Sequence, residues 1–218
     1  TDVFVYTADG ATANLTITVT GINDAPVATN DTGSVNEDAT LSVSNGSGDI
    51  IDNNDTDADD SASLVVSAVR IGGVEGSGTA GTVGQALTGT YGQLTLNANG
   101  SYSYVANQDA ADDLDASDQV TDVFNYTLSD GTATDTATIT ITVTGINDAP
   151  VADNETGAVN EDATLTVTDG DTDADDSASL TVSAIRTGAE GGSGTSGSIG
   201  SGLTGTYGTL TLASDGTY

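Results

Sequence analysis

Apolar and polar side chains alternate along the segment from Val123 to Gly145, "VFNYTLSDGTATDTATITITVTG". In its second arm Ile139, Ile141 and Val143 share one face of the chain, and the threonines between them occupy the other face. A period of two is typical of a half-buried antiparallel strand. Because the Asp-Gly pair at the centre is a tight-turn signal, the segment predicts a β-hairpin.

Shorter runs with the same alternation precede this hairpin. "LSVS" from Leu41 and "LVVSAVRI" from Leu64 predict two strands, and "YGQLTLNANGSYSYVA" from Tyr91 predicts a hairpin that turns on Asn-Gly. A Gly/Ser/Thr-rich loop from Gly72 is expected to be flexible. No stretch has helical periodicity. About seven short strands in roughly 120 residues favour an all-β fold, an antiparallel β-sandwich.

Long phrases of the sequence occur twice. "GINDAPVA" begins at residues 21 and 145, "NEDATL" at 36 and 160, and "TDADDSASL" at 56 and 172. A period of 116 to 124 residues exceeds that of solenoid repeats, so each unit should be a self-contained domain in a tandem array. We therefore divide the chain into the C-terminal strands of one module (1–26), a complete module (27–150) and the N-terminal part of the next (151–218).

The charge balance narrows the range of partners. The chain carries 33 acidic and two basic side chains, a formal net charge of −31, and contains no Cys, His, Trp or Met. Such a chain should be repelled by nucleic acid and by anionic membrane surfaces, and no apolar stretch approaches the roughly 20 residues needed for direct membrane insertion. Disulfides and thiolate metal sites are excluded. A cation is the natural counterpart of this acidic surface.

Two long segments carry a family resemblance. "YGQLTLNANGSYSYVAN" followed by "TDVFNYTLSDGTATDTATITITVTGINDAPV" resembles the VCBS repeat of large bacterial RTX-type surface adhesins. "NDAPVATNDTGSVNEDATLSV" followed by "NDTDADDSASLVVSAV" resembles the cadherin-like tandem modules of the same proteins. One departure is that the family's usual "DADGD" stands here as "DADDS".

The resemblance implies tandem Ig-like, cadherin-like sandwich modules with Ca²⁺ bound near the module junctions. It also implies secretion to the bacterial cell surface and a non-enzymatic role as a structural extender repeat. Such a repeat would belong to an adhesin or extracellular fibre that supports cell adhesion or a biofilm matrix, and its nearest partners would be neighbouring repeats of the same chain.

The order of the strands predicts where acidic residues meet, because alternate loops of a sandwich fall at opposite poles. Both linkers carry an Asn-Asp pair at the point where two acidic poles converge, and Ca²⁺ requires roughly six to eight oxygen ligands. At the first joint the candidate ligands are Asp2, Asn23, Asp24, Asp55, Asp57 and Asp59. At the second joint they are Glu37, Asp38, Asp122, Asn147, Asp148, Asp171, Asp173 and Asp175. The aspartates from Asp109 to Asp122 are interpreted as mostly solvated surface, apart from Asp122 and, as a second choice, Asp118.

Simpler interpretations compete with calcium binding. The acidic loops could be solvated turns or a solubility device, and the Asn-Asp pairs could be ordinary Asx turns. An EF-hand is disfavoured, because Asp60 stands at loop position six and Val66 at position twelve. Catalysis is disfavoured, because Glu37 and Asp38 are adjacent in sequence and no aromatic platform accompanies them.

Two other functions remain open at this stage. A module could itself bind a carbohydrate or protein, although the absence of Trp and the placement of Tyr in strand patterns disfavour this. Alternatively, identical chains could assemble into a filament, if the strands of residues 1–26 complete a sandwich in another copy.

Overall fold

The computed structural model describes residues 1–46, 48–52, 54–59, 62–165, 170–175 and 177–218. The described residues are almost entirely strand and connecting loop. The first unit is a hairpin of β1 (Asp2–Ala8) and β2 (Ala11–Ile17), which are antiparallel with Ala8 opposite Ala11. Its turn residues Asp9 and Gly10 have φ values of 47° and 87°, as expected for the tight turn of a twisted hairpin.

The described part of residues 27–150 contains eight strands and one short helix. In chain order these are β3 (Asp31–Asn36), β4 (Thr40–Val43), β5 (Val65–Ile71), β6 (Ala86–Thr88), β7 (Gln93–Leu96), β8 (Tyr102–Val105), α1 (Asp109–Asp112), β9 (Gln119–Ser129) and β10 (Thr134–Thr144). One sheet has the order β3-β10-β9-β5 and the other β4-β8-β7-β6. The predicted sandwich is therefore present, and the two predicted hairpins are β7–β8 and β9–β10.

The core lies between the two sheets of this module. Phe124, Tyr126 and Leu128 of β9 are fully buried, as are the apolar residues of β10 at every second position. The ring of Tyr104 in β8 meets Phe124 edge-to-face across the sheets, with ring centroids 6.4 Å apart. This geometry is favourable for aromatic pairs, and the alternation seen in the sequence thus marks the true core face.

One strand pairing departs from the antiparallel expectation. β3 runs parallel to β10, with Ile139 opposite Asp31 and Val143 opposite Val35. Both strands run away from the preceding unit and towards the following one, since β3 begins just after one linker and β10 ends at the next. Because of this arrangement the end of β3 and the end of β10 lie side by side at the downstream pole.

The glycine-rich loop from Gly72, which was expected to be flexible, is bonded to the β9 strand. The buried side-chain amide of Asn125 donates to the carbonyls of Gly72 and Ser77, at 2.9 and 3.0 Å, and its oxygen accepts from the N–H of Gly76 at 3.1 Å. The Arg70 guanidinium donates to the Gly78 carbonyl. The side chain of Asn125 therefore supplies hydrogen-bond partners for three backbone groups of the loop.

The last unit contains four short strands among its described residues. They are β11 (Ile185–Arg186), β12 (Ser196–Gly197), β13 (Gly202–Thr204) and β14 (Thr209–Thr211), paired as two small hairpins. The first residues of this unit pair as those of the complete module do, because the antiparallel bridge Val151–Thr172 corresponds to Val27–Thr56. Equal sequences at the two linkers thus adopt equal backbone pairings.

Candidate metal centre

Three carboxylates converge where residues 27–150 meet residues 151–218. Glu37 comes from the complete module, Asp148 from the linker and Asp175 from the following module, and one oxygen of each lies within 4.8 Å of the others. Glu37 is buried and the two aspartates are half-buried. Three parts of the chain that are far apart in sequence thus meet at one point.

The parallel pairing of β3 and β10 positions Glu37. Its N–H donates to the Thr144 carbonyl at 3.0 Å, which continues the pairing one residue past both strands. One side-chain oxygen, Oε1, accepts from the N–H of Ile146 at 2.5 Å. Glu37 is only 1% exposed, yet its other oxygen, Oε2, has no hydrogen-bond partner among the described residues.

The environment of Glu37 disfavours its charged form. Burial raises the pKa of the Glu37 carboxyl above its ordinary value, and the hydrogen bond from Ile146 opposes this effect. The nearby charges of Asp148, Asp175 and Asp38 raise the pKa further. A buried carboxylate is costly unless a counter-charge compensates it, so the site favours binding of a cation.

The acidic loop of the following module completes the cluster. The N–H of Asp148 donates to Oδ2 of Asp175 at 3.2 Å, and the N–H of Asp175 donates to Oδ1 of Asp173 at 3.1 Å. Oδ1 of Asp175 is buried without a hydrogen-bond partner. Asp171 turns the other way, and its Oδ1 accepts from the N–H of Asp153 at 2.8 Å. The alternate aspartates of this loop thus have different contacts, and of Asp171, Asp173 and Asp175 it is Asp175 that belongs to the three-carboxylate cluster.

Asp112 is a neighbour that the sequence interpretation treated as solvated surface. Burial raises the pKa of its carboxyl, and the charges of Asp38, Asp109 and Asp148 raise it further. Asp38 follows Glu37 in a left-handed turn with φ of 57°, and its N–H donates to the Ala106 carbonyl. Its side chain is exposed. Asp38 and Asp112 therefore add negative charge beside the cluster.

The first joint reproduces the backbone of the second. The N–H of Asp24 donates to Oδ2 of Asp59 at 3.0 Å, as Asp148 does to Asp175. The N–H of Asp59 donates to Oδ1 of Asp57 at 2.8 Å, and Oδ2 of Asp57 is buried without a partner. Asp55 accepts from the N–H of Thr29 at 2.7 Å, as Asp171 does from Asp153. The linker and the acidic loop therefore form one local unit that the sequence specifies twice.

The linker asparagines act mainly on their own backbone. The side-chain amides of Asn23 and Asn147 each donate to the carbonyl of the following aspartate. Asn23 also donates to Oδ2 of Asp130 at 3.0 Å. Asp130 lies in the β9–β10 turn and was not among the candidate ligands. These contacts differ from an Asx turn, in which the side-chain oxygen accepts from a backbone N–H two residues further on. The role of both asparagines as metal ligands remains a prediction.

Asp122 lies elsewhere than the sequence interpretation placed it. It was expected at the second joint, in a loop at the downstream pole of the sandwich. Instead Asp122 lies within β9, which begins at Gln119, and points inward at 5% exposure. Its carboxylate accepts from the N–H groups of residues 90–92 at 2.9 to 3.2 Å and from the Tyr104 hydroxyl at 2.6 Å. The structure therefore gives Asp122 a complete set of partners within the module and does not bring it into the Glu37 cluster.

Asp2 is the counterpart of Asp122 in the repeat, because "TDVF" at Thr1 recurs at Thr121. Asp2 lies in β1 opposite Ile17 and is exposed. Its role as a metal ligand stays a prediction. Of the candidate ligands, the structure gathers Glu37, Asp148 and Asp175 into one cluster.

The chemistry of the cluster fits a hard divalent cation. Its three candidate ligand atoms are carboxylate oxygens, which Ca²⁺ prefers. The only basic side chains in the sequence are Arg70 and Arg186, and Arg70 is bonded to the glycine-rich loop of its own module. Glu37, Asp148 and Asp175 are the residues that would hold the ion, with Asp38 and Asp112 contributing long-range attraction.

Comparison with known proteins agrees with the fold. A search of curated proteins found no significant match. None of the helices among the described residues is long and apolar enough to cross a membrane. The family model of the bacterial cadherin-like domain matches residues 23–145, more than half of the chain. This span contains the first linker, both sheets of the complete module and Glu37, and the chain belongs to the bacterial cadherin-like domain family.

Proposed function

We propose that the chain is a structural extender repeat of a secreted bacterial adhesin or extracellular fibre, and that Ca²⁺ stiffens the joints between its modules. The observation that carries the proposal is the convergence of Glu37, Asp148 and Asp175 from a module, its linker and the next module. Two oxygens of this cluster are buried without a hydrogen-bond partner. Cadherin-like domains are typically non-enzymatic and extracellular and commonly bind Ca²⁺, which agrees with the proposal.

The mechanism is electrostatic and mechanical. Like charges held within 4.8 Å repel one another, at a cost of about 1 kcal/mol per pair in water and several times more in a partly buried site. Without a cation this repulsion weakens the contact of the linker and the following module with Glu37. A divalent ion bound to all three carboxylates replaces their mutual repulsion by attraction to the ion. Its binding stabilises the closed joint by mass action. A string of modules then becomes a rod that projects a distant part of the protein.

The experiment compares the full chain with Ca²⁺, with Mg²⁺ and with a chelator at fixed ionic strength. We expect calorimetry to detect Ca²⁺ binding, and we expect small-angle scattering to show a narrower distribution of overall dimensions only with Ca²⁺. Mg²⁺ serves as the control ion because it demands a stricter octahedral geometry. The triple variant Glu37→Gln, Asp148→Asn and Asp175→Asn should lose the change in dimensions.

A matched control removes charge without touching the joint. Asp9→Asn lies at the tip of the β1–β2 hairpin, where φ is 47° and asparagine is well tolerated. It should keep the calcium response of the unmodified chain. If the chain does not respond to Ca²⁺, or if the triple variant responds as strongly as the control, the proposal is wrong and the acidic residues act as a solubility coat.

A further inference from the structure

A second contact crosses the joint beside the carboxylate cluster. Asp115 lies in the loop between α1 and β9, and Ser177 directly follows the acidic loop of the next module. Oδ1 of Asp115 accepts from the Ser177 N–H at 3.1 Å, and Oδ2 accepts from the Ser177 hydroxyl. Because the Asp115 carboxylate accepts two hydrogen bonds from Ser177, the contact fixes the orientation of Ser177 relative to Asp115 as well as the distance between them.

The loop that carries Asp115 is itself fastened to the root of the linker. The N–H of Ser117 donates to the Gly145 carbonyl at 3.0 Å, and the N–H of Gly145 donates to the Asp118 carbonyl at 2.9 Å. A Cβ atom on Gly145 would lie 2.2 Å from the Asp115 carbonyl oxygen, a distance that only glycine allows. Asp115 is thus held against the linker, so its carboxylate has a fixed position relative to the complete module.

This contact differs in kind from the cluster of Glu37, Asp148 and Asp175. The cluster brings together charges of one sign, so its closed form depends on a cation. Asp115 instead receives two neutral donors from Ser177, and hydrogen bonds to a charged acceptor are the stronger ones. The contact therefore opposes the opening of the joint with or without an ion.

We propose that Asp115 and Ser177 form an ion-independent latch that sets the orientation of residues 151–218 relative to residues 27–150. Asp115 is the positioning residue and Ser177 is its partner. "DADDSASL" stands in both acidic loops, so the serine accompanies the loop in each copy of the repeat. The latch does not rest on the calcium proposal, since its contacts contain no metal ligand.

The test measures the distance between the two modules in the full chain. The sequence has no cysteine, so Ser34→Cys on the exposed face of β3 and Thr204→Cys on β13 can carry spin labels. In chelator we expect a defined distance distribution, and we expect Ser177→Ala and Asp115→Asn each to broaden it at least twofold. Combining them should add little, because both weaken the same contact, Ser177→Ala by removing the hydroxyl donor and Asp115→Asn by removing the charged acceptor. Ser179→Ala, an exposed serine two positions further on, is the matched control and should change nothing.

Two results would overturn the latch. The first is a distribution in chelator that Ser177→Ala leaves unchanged. The second is an effect of Asp115→Asn that appears only with Ca²⁺ while Ser177→Ala is silent, which would make Asp115 a metal ligand instead. Failure of the calcium proposal has a different signature, because then Ca²⁺ would not narrow the distribution in any variant. Calorimetry of Ser177→Ala completes the separation, and its calcium affinity should stay within about twofold of the unmodified chain.

Discussion

Glu37 holds the Ile146 N–H with one side-chain oxygen, at 2.5 Å, and leaves the other oxygen buried without a partner. The first contact couples the end of β3 to the first residues of the linker. One oxygen of the same carboxylate lies within 4.8 Å of an oxygen of Asp148 and of Asp175. One side chain therefore links the fold of a module to the state of its joint, and this relationship makes Glu37 the most informative residue to change.

Glu37→Gln should have opposite effects with and without calcium. A glutamine can still accept the Ile146 hydrogen bond, but it carries no charge and is a poorer calcium ligand. In chelator the variant should unfold at a higher temperature than the unmodified chain, because the buried charge and its repulsion are gone. With Ca²⁺ the order should reverse, and affinity should fall about tenfold or more, or by about 1.4 kcal/mol.

Thermal unfolding followed by circular dichroism, together with calorimetric calcium titration, measures both effects. Asp9→Asn provides the control, since it removes one charge from a distant hairpin tip. An equal shift of the unfolding temperature in both conditions would mean that Glu37 has only a structural role.

Stability in chelator should depend on pH through the same group. The pKa of Glu37 is raised in the folded state by burial, from an ordinary value of 4.5. Between the ordinary value and the raised value the folded chain binds more protons than the unfolded chain, so stability falls as pH rises. We therefore expect the free energy of unfolding to increase as pH is lowered from neutral towards about 4.5. Asp112, whose pKa is also raised by burial, contributes in the same direction.

The control for this prediction is the Glu37→Gln variant, measured by urea unfolding at each pH. General charge repulsion in an acidic chain also weakens as pH falls, so the informative quantity is the difference between the two chains. The difference in the free energy of unfolding between the Glu37→Gln variant and the unmodified chain should become smaller as pH falls. A pH dependence identical in both chains would contradict the assignment to Glu37.

Asp122 should prove essential for stability and neutral for calcium binding. Asp122→Asn removes the charge and places an amide among the N–H groups of residues 90–92, which leaves buried donors unpaired. Losing hydrogen bonds to a charged group costs about 1.5–3 kcal/mol each, and we expect a total loss of about 2–4 kcal/mol. Urea unfolding measures the loss, and calorimetry should give an unchanged calcium affinity. A variant that keeps its stability but loses calcium binding would return Asp122 to the metal site.

The case of Asp122 shows how far the sequence determines the structure. Strict alternation identified β9 and β10 and their buried face, because a period of two leaves one choice of register. The same alternation places Asp122 in phase with Phe124 and Tyr126, which is the signal that it points inward. Gly89 of "LTGTYG" is a second signal that Asp122 points inward, since a Cβ atom on Gly89 would lie 2.4 Å from Asp122 Oδ2.

Other features could not be read from local patterns. The parallel pairing of β3 with β10 joins residues about 108 apart, from Asp31 to Ile139, and short polar strands such as β3 carry little periodicity. The convergence of Glu37, Asp148 and Asp175 was predictable from the poles of the sandwich. The contact of Asp115 with Ser177 was not, because it depends on the path of an irregular loop.

Asn125 should control the glycine-rich loop that follows β5. Its amide makes three part-buried hydrogen bonds to Gly72, Gly76 and Ser77, and Asn125→Ala removes this side-chain partner of the three backbone groups. We expect a loss of about 2–3 kcal/mol and at least tenfold faster amide hydrogen exchange at Gly76. Exchange measured by mass spectrometry, with β10 as the internal reference, distinguishes local release of the loop from global unfolding. Asn99→Ala, in the turn of the β7–β8 hairpin, is the matched control, because the Asn99 side chain accepts hydrogen bonds from Ser101 in its own turn. If both variants speed exchange of the loop equally, Asn125 has no special part in ordering it.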